Sequence, residues 1–310
     1  MEYQEFLYAV EGELNQRLKE GEKASVYTAV KNNGKEKKGV MIERKGSNAA
    51  PTIYLEGFFV RFQRGESMEK LVREIMTFYE TVRVEQIWDP TQFEHYSEVS
   101  DRIVFKLVHK MKNKKLLKEV PYVDVLDLAI VFYVLLDLDR NGMACIQISN
   151  EHLEKWGISR DELFTVAVKN VKKVLPAEFF TMQHAIGQML DVTQDQEAEN
   201  LLREVRSEKK DVMYVLTNSS RNYGAACMIY PHVLEMIGDM LKEDFYILPS
   251  SVHEVIIVPE SKGLDPDEMD AMVDEINETQ VEPEEVLSSH AYFYQRKGRR
   301  LMLRRKNIHE

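Results

Sequence analysis

The chain has 310 residues, a mass of 36.2 kDa, and 41 basic against 52 acidic side chains, a formal charge of −11. Its 44% apolar content is enough to build a core and excludes a disordered chain, and two cysteines exclude a disulfide scaffold. The acidic balance argues against a general nucleic-acid coat, and the length suits one large domain or two smaller ones.

The first residues, Met1-Glu2-Tyr3-Gln4-Glu5, lack the basic patch and apolar run of a secretory signal. Tyr3, Leu7, Val10, Leu14 and Leu18 share one helical face, which predicts a helix over Tyr3–Glu20 stopped by Gly21. Strands are predicted at Ser25–Val30 and Gly39–Glu43, joined through the turn-forming pair Asn33-Gly34. Thr52–Gln63 is read as helix ending at Gly65. A further helix over Ser67–Tyr79 carries Met68, Leu71, Val72, Ile75 and Phe78 or Tyr79.

Beyond residue 100 the pattern changes. Ile103–Val108 reads as a strand. Leu128–Leu136 has no polar interruption, so it reads as a central strand covered on both faces. Its nine residues fall short of the roughly 20 that a membrane-spanning helix needs. Asp139-Arg140-Asn141-Gly142 turns the chain and Ala144–Ile148 returns. Asn150 is read as the cap of a short helix ending at Gly157. Ser159 and Glu162 form a capping box for a helix stopped by Pro176. Residues 191–210 are polar and read as an acidic linker or insertion. Strands are predicted at Val212–Leu216, Ala225–Ile229, Phe245–Leu248 and Val252–Val258. Pro231 opens a helix carrying Leu234, Ile237 and Leu241. Asp265-Pro266-Asp267-Glu268 starts another, which buries Met269, Met272, Val273 and Ile276. Ala291–Gln295 and Leu301–Arg304 form a closing hairpin.

Val131–Cys145 and Val212–Cys227 align with nine of fifteen positions identical when Tyr223 is treated as an insertion. The matches include Arg140/Arg221, Asn141/Asn222, Gly142/Gly224 and Cys145/Cys227. This predicts two hairpin–helix copies whose hairpins pair in one sheet. Both cysteines are expected to be free thiols in a reducing compartment.

No phosphate loop, dinucleotide fingerprint, zinc pattern or nucleophile elbow is present, so no metal or cofactor is expected. Three constellations remain. Ser250, Ser251 and His253 offer a hydroxyl and an imidazole, although Pro249-Ser250-Ser251 also reads as a tight turn before a half-buried strand. In such a strand His253 and Glu254 point to opposite faces. The loop Asn218-Ser219-Ser220-Arg221-Asn222 offers donors for a carboxylate, phosphate or peptide, and the same residues suit a turn. Residues Glu260–Glu285 hold eleven acids and one lysine, whereas Arg296–Lys306 holds seven basic residues in eleven. The basic hairpin (Arg296, Lys297, Arg299, Arg300, Arg304, Arg305), beside Tyr292, Phe293 and Tyr294, suits nucleic acid, the acidic helix of the same chain or another subunit, and the overall charge favours the contact within the chain.

Several segments carry a family resemblance. They are Val212–Asn218, Gly224–Cys227, Phe245–Val255, Asn277–Gln280 and Glu284–Ser288, with Asn150–Gly157 and Asp127–Tyr133 beside them. Together they resemble a bacterial family of unknown function from anaerobic gut Gram-positive bacteria, distantly similar to the YtpQ-like family. The resemblance spans residues 25–300. It implies a bacterial, intracellular protein and supplies no activity and no catalytic residues.

The expected fold is α+β, with packed helices on antiparallel hairpins. A helix–hairpin–helix section is expected over 1–90 and an α+β core with the duplicated unit over 91–310. The leading functional expectation is a non-enzymatic cytoplasmic protein that binds a protein or peptide partner in a regulatory or accessory role. The alternatives are a small hydrolase or nuclease-like enzyme using Ser251, His253 and the Arg221 loop, and a nucleic-acid accessory protein using the basic hairpin.

Overall fold

A computed structural model describes residues 1–47, 50–82, 93–139, 142–189, 200–202, 211–262 and 265–303. The fold is α+β, with every strand pairing antiparallel. It divides into two compact units, Met1–Gln92 and Phe93–Glu310.

The first unit contains α1 (Tyr3–Asn15), β1 (Glu22–Val30), β2 (Glu36–Arg44), β3 (Thr52–Tyr54), α2 (Glu56–Gln63) and α3 (Met68–Val82). The strands form one sheet in the order β1-β2-β3. Helix α1 ends at Asn15, five residues before the predicted last residue, Glu20. There the Asn15 amide clasps Ala24, donating to its carbonyl and accepting from its N–H, both at 2.9 Å. The predicted helix over Thr52–Gln63 is instead a strand and then a helix. Ile53 is needed inside the core, whereas Tyr54 faces the other side of the sheet. One sheet face packs Ala24, Val40, Ile42 and Ile53 on Phe6, Leu7, Val10 and Leu14 of α1 and on Leu71, Val72 and Ile75 of α3.

The second unit runs α4 (Tyr96–Val99), β4 (Ile103–His109), α5 (Leu116–Glu119), β5 (Tyr122–Val125), β6 (Leu128–Asp139), β7 (Gly142–Gln147), α6 (Asn150–Trp156), α7 (Arg160–Val174), β8 (Ala177–Thr181) and α8 (Met182–Met189). It continues with β9 (Tyr214–Asn218), α9 (Val233–Leu241), β10 (Phe245–Leu248), β11 (Val255–Pro259), α10 (Pro266–Thr279), β12 (Tyr292–Gln295) and β13 (Arg300–Leu303). As the apolar run predicts, β6 is central: it pairs with β4 on one side and with β5 and then β7 on the other. The other sheet has six strands in the order β13-β12-β10-β11-β9-β8. Side chains from both sheets share one core with Leu163, Ala167 and Val171 of α7. The Asn170 amide ties α7 down by donating to the carbonyls of Ser100 and Ile103, at 2.7 and 2.9 Å.

The capping boxes at Ser159/Glu162 and Asp265/Glu268 form as read. The cap of α6 is Ser149 rather than Asn150, because the Ser149 hydroxyl and the His152 ring each reach the other residue's backbone N–H. Pro231 lies ahead of α9, whose cap is His232 in a left-handed conformation. Most of the acidic segment 191–210 lies outside the described residues. Within it, Asn200 is buried against β8, accepting from Phe179 N–H and donating to Ala177 O.

The duplicated hairpin does not form. β6 turns into β7, but β9 is followed by a buried 3-10 stretch, Gly224–Ile229, and the two copies lie in different sheets. The reason is steric: both edges of β9 are taken, by β11 and β8, so no return strand fits beside it. Cys145 therefore sits on a strand and Cys227 in a helical turn. Both are free thiols whose pKa burial pushes up. Arg140 and Asn141 lie outside the described residues.

Candidate functional site

Residues 218–223 form a self-satisfied turn. Asn218, buried at the end of β9, accepts from the Ser220 hydroxyl (2.8 Å) and the Ser220 N–H (3.1 Å) and donates to Asn222 O (2.9 Å). Asn222 N–H donates to the Ser220 hydroxyl at 3.2 Å, and its amide to Ser220 O at 2.9 Å. Arg221 and Tyr223 both take φ near 54°, which these bonds enforce. Most of the donors that the sequence offers to a ligand are thus spent on the turn itself. Ser219 N–H donates to Pro176 O at 3.0 Å. The Arg221 side chain is exposed and rests near the Phe180 ring, 5.5 Å from its centroid.

Against this turn lies residues 249–254. Here the backbone pairs with residues 285–288: Val252 N–H donates to Glu285 O, Leu287 N–H to Ser250 O and Ser288 N–H to Pro249 O, each at 2.9 Å. The strand expected from Val252 begins only at Val255, so the alternation that separates His253 from Glu254 does not apply. Ser250 and Ser251 are buried. The Thr217 hydroxyl donates to His253 O at 2.8 Å, and the His253 ring stacks on Tyr223 at 5.6 Å and 15°. The Lys106 ammonium of β4 lies over the Tyr223 ring, 4.3 Å from its centroid.

The hydrogen bonds fix what these groups can do. Tyr223 N–H donates to His253 Nδ1 (3.4 Å), which leaves the proton on Nε2, 3.4 Å from Glu285 Oε1. Both ring nitrogens are engaged, neither by Ser251. The Ser251 hydroxyl instead accepts from His253 N–H at 3.0 Å. A serine nucleophile requires its oxygen on the imidazole base, and that pair is not formed. Arg221, His253, Glu254 and Glu285 do converge electrostatically. Burial raises the Glu254 pKa above the usual carboxylate range, with Glu285 adding to the rise and His253, Ser251 and Arg221 opposing it.

A carboxyl raised in the folded state contributes stability below its unfolded pKa, and that contribution is lost as the pH rises through the folded value. Glu254→Gln keeps the size and shape of the side chain and removes the buried charge. Thermal melts are expected to show a higher Tm for the variant at pH 7, with the gap closing toward pH 4. A gap that is absent or unchanged with pH contradicts this account.

The basic C-terminal hairpin turns onto α9 rather than onto the acidic α10. Arg296 pairs with Asp239 at 3.2 Å and Arg299 with Glu235 at 3.3 Å, while Arg296 N–H donates to Asp244 at 3.0 Å. Lys297 and Arg300 lie in the hairpin turn and at the start of β13, both exposed. Arg304 and Arg305 lie outside the described residues. Strand β13 ends the six-stranded sheet, and among the described residues no strand pairs with its outer edge. Leu301, Met302 and Leu303 on it are only half covered.

A family model described as a family of unknown function, DUF5688, matches residues 3–296. The chain belongs to the DUF5688 family. No curated protein and no solved structure matches it. In this DUF5688 chain, no group of three or more His, Cys, Asp or Glu side chains among the described residues is placed to hold a metal ion. No helix among those residues is long and apolar enough to cross a membrane. Glu285 and Lys106 join the His253 cluster without a local signal in the sequence. Glu285 lies in a run legible only as net charge, and Lys106 in a strand. Tyr223, an apparent insertion in the repeat, supplies both the stacking ring and the amide that sets the His253 tautomer.

Proposed function

We propose that this DUF5688 chain is a non-enzymatic protein that binds a protein partner by accepting an extended segment of it along β13. The observation that carries the reading is the outer edge of β13, at the end of a six-stranded antiparallel sheet, with which no strand among the described residues pairs. In an antiparallel strand, alternate backbone amides and carbonyls point away from the neighbour and offer a template for another chain. Main-chain bonds along such an edge give affinity, and alternate side chains give specificity. Here Leu301 and Leu303 continue the main core, and Met302 points to the opposite face. Lys297 and Arg300 stand exposed at the entry. A matching segment is extended, alternates apolar residues, and carries acids where it meets this end. The engagement of the His253 ring by Tyr223 and Glu285 rather than by Ser251 favours binding over hydrolysis. The reading sets the chain in a bacterial cytoplasm, which suits two free cysteines, and keeps the distant kinship with the YtpQ-like family.

A photo-reactive residue in place of Arg300 tests it, with the same residue in place of exposed Ile186 as control. One adduct protein is expected at position 300 and not at 186. Titrated in pure form, that protein is expected to bind the parent chain and to lose tenfold or more affinity to Arg300→Glu and to Met302→Pro, each checked for retained fold by circular dichroism. Equal affinity for parent and variants sinks the proposal.

A further inference from the structure

The segment that builds the N-terminal sheet is basic within an acidic chain, as the C-terminal hairpin also is. Residues 22–54 carry seven cations (Lys23, Lys31, Lys35, Lys37, Lys38, Arg44, Lys45) and three acids (Glu22, Glu36, Glu43), a net of +4 within a chain of −11. Strand alternation places Ala24, Val40, Ile42 and Ile53 inward, so Lys23, Ser25 and Tyr27 of β1, Gly39 and Met41 of β2, and Thr52 and Tyr54 of β3 share the outer face. The register aligns Tyr27 with Gly39 and Gly39 with Tyr54, so a glycine separates two tyrosines across three strands. A Cβ on Gly39 would meet Ile53 O at 2.1 Å, so no side chain stands between the two rings. With neighbouring strands about 4.8 Å apart, the tyrosines lie roughly 10 Å from each other. Tyr27 is 43% exposed, and the Lys31 ammonium lies 4.4 Å from the Tyr54 ring centroid.

The same face runs into a cavity. Two residue pairs further along come Lys23 and Glu43, which line a cavity of about 440 Å³ together with Arg44 and Lys45. Among the described residues, Lys23, Arg44 and Lys45 form no ion pair with a carboxylate, and Glu43 is the one acid in the lining. Four residues of strand separate Tyr27 from Lys23, about 13 Å. That is the span of about four nucleotides at the stacked spacing of ~3.4 Å.

An exposed Tyr27 ring and a half-buried Tyr54 ring, with Lys23, Arg44 and Lys45 further along the same sheet, fit a ligand that alternates flat ring systems with phosphates. We propose that the outer face of β1-β2-β3 binds single-stranded nucleic acid, with bases stacked on Tyr27 and Tyr54 and backbone phosphate held by Lys23, Arg44 and Lys45 at the cavity. A duplex keeps its bases stacked inside and cannot offer them to the two rings. The chain's overall negative charge does not oppose this, because at physiological ionic strength charges beyond about 8 Å are largely screened. This site is independent of the β13 edge and stands or falls separately.

Fluorescence anisotropy of a labelled 12-nucleotide oligo-dT, the matching oligo-U and a 12-base-pair duplex, each titrated with the full chain, tests it. Both single strands are expected to bind more tightly than the duplex, and binding is expected to weaken steeply with added salt. Tyr27→Ala, at an exposed position, is expected to weaken single-strand binding roughly fivefold or more. The double substitution Lys23→Glu/Lys45→Glu is expected to flatten the salt dependence. Tyr27→Phe is expected to retain binding, which separates stacking from any general effect on the fold. No binding at 50 mM salt overturns the proposal. So does equal affinity for strand and duplex, or indifference to Tyr27→Ala, which marks plain polyanion attraction.

Discussion

Gly224→Ala is expected to be the most damaging single methyl group in the C-terminal unit. A Cβ at this position would lie 2.1 Å from the Thr217 hydroxyl, 2.5 Å from His253 O and 2.7 Å from Asn218 N. Two of those three atoms are backbone: Asn218 N lies in β9, paired with β8, and residue 253 follows Val252, whose N–H is bonded to Glu285 O, so they cannot swing aside. The third is committed to His253 O. Overpacking in a tight core costs about 1–3 kcal/mol, and a collision with fixed backbone belongs at the upper end or above it. For a unit of this size about 3 kcal/mol corresponds to a Tm drop of roughly 6–12 °C. Gly12→Ala is the contrast, since its Cβ would meet nothing within 4 Å inside α1. It is expected to stabilise the N-terminal unit by about 0.5–1 kcal/mol. Calorimetry on both variants checks the pair. A Gly224→Ala protein that melts like the parent contradicts the close approach of the turn to residue 253.

Asp127→Ala is the second large effect. Asp127 stands in the turn between β5 and β6 of the four-stranded sheet. Its carboxylate accepts from the Ser288 hydroxyl at 2.7 Å and from the Tyr292 hydroxyl, both next to or within the six-stranded sheet. Ser288 and Tyr292 are fully buried, so alanine at 127 leaves both hydroxyl protons without their acceptor, although the Ser288 oxygen still accepts from His290 N–H at 3.1 Å. Each buried polar group left unpaired costs about 1–3 kcal/mol, which sums to about 3 kcal/mol on a moderate value. Asp127→Asn keeps one acceptor oxygen and is expected to cost roughly 1 kcal/mol. Tyr292→Phe removes one of the two donors. A double-mutant cycle of Asp127→Ala with Tyr292→Phe is therefore expected to give a coupling above about 0.5 kcal/mol. Additivity within that margin means the tie between the sheets is not made as described.

What the sequence discloses here follows the range of the forces involved. Local signals worked where one short segment holds all the partners. The capping box of Ser159 with Glu162, the Asp265-Pro266 start of α10 and the unbroken apolar run of β6 all formed as read. Short elements escaped: β5 has four residues and β8 five, too few for a period to show. Ala225–Ile229 reads as a strand because small apolar residues suit either state. It forms a helical turn instead, since β8 and β11, distant in sequence, already hold both edges of β9. The site behaves alike. Asn218, Ser220 and Asn222 announce a turn, and a turn is what their side chains build. His253 announces chemistry, but its partners are a backbone amide at Tyr223 and a carboxylate at Glu285, and neither lies in its own segment. The place of β13 at the edge of the sheet, unpaired on its outer side among the described residues, is a property of sheet order, which no stretch of sequence contains.

Amide hydrogen exchange, resolved residue by residue over β10, β12 and β13 in the isolated chain, tests the central claim most directly. With the outer edge of β13 open, β10, flanked by β11 and β12, is expected to be protected throughout. In β13 protection is expected to alternate: amides bonded to β12 exchange slowly and those facing outward exchange near loop rates. Uniform protection along Arg300–Leu303, equal to that of β10, would mean that the edge is already occupied in the free protein, and the partner-binding account would fall with it.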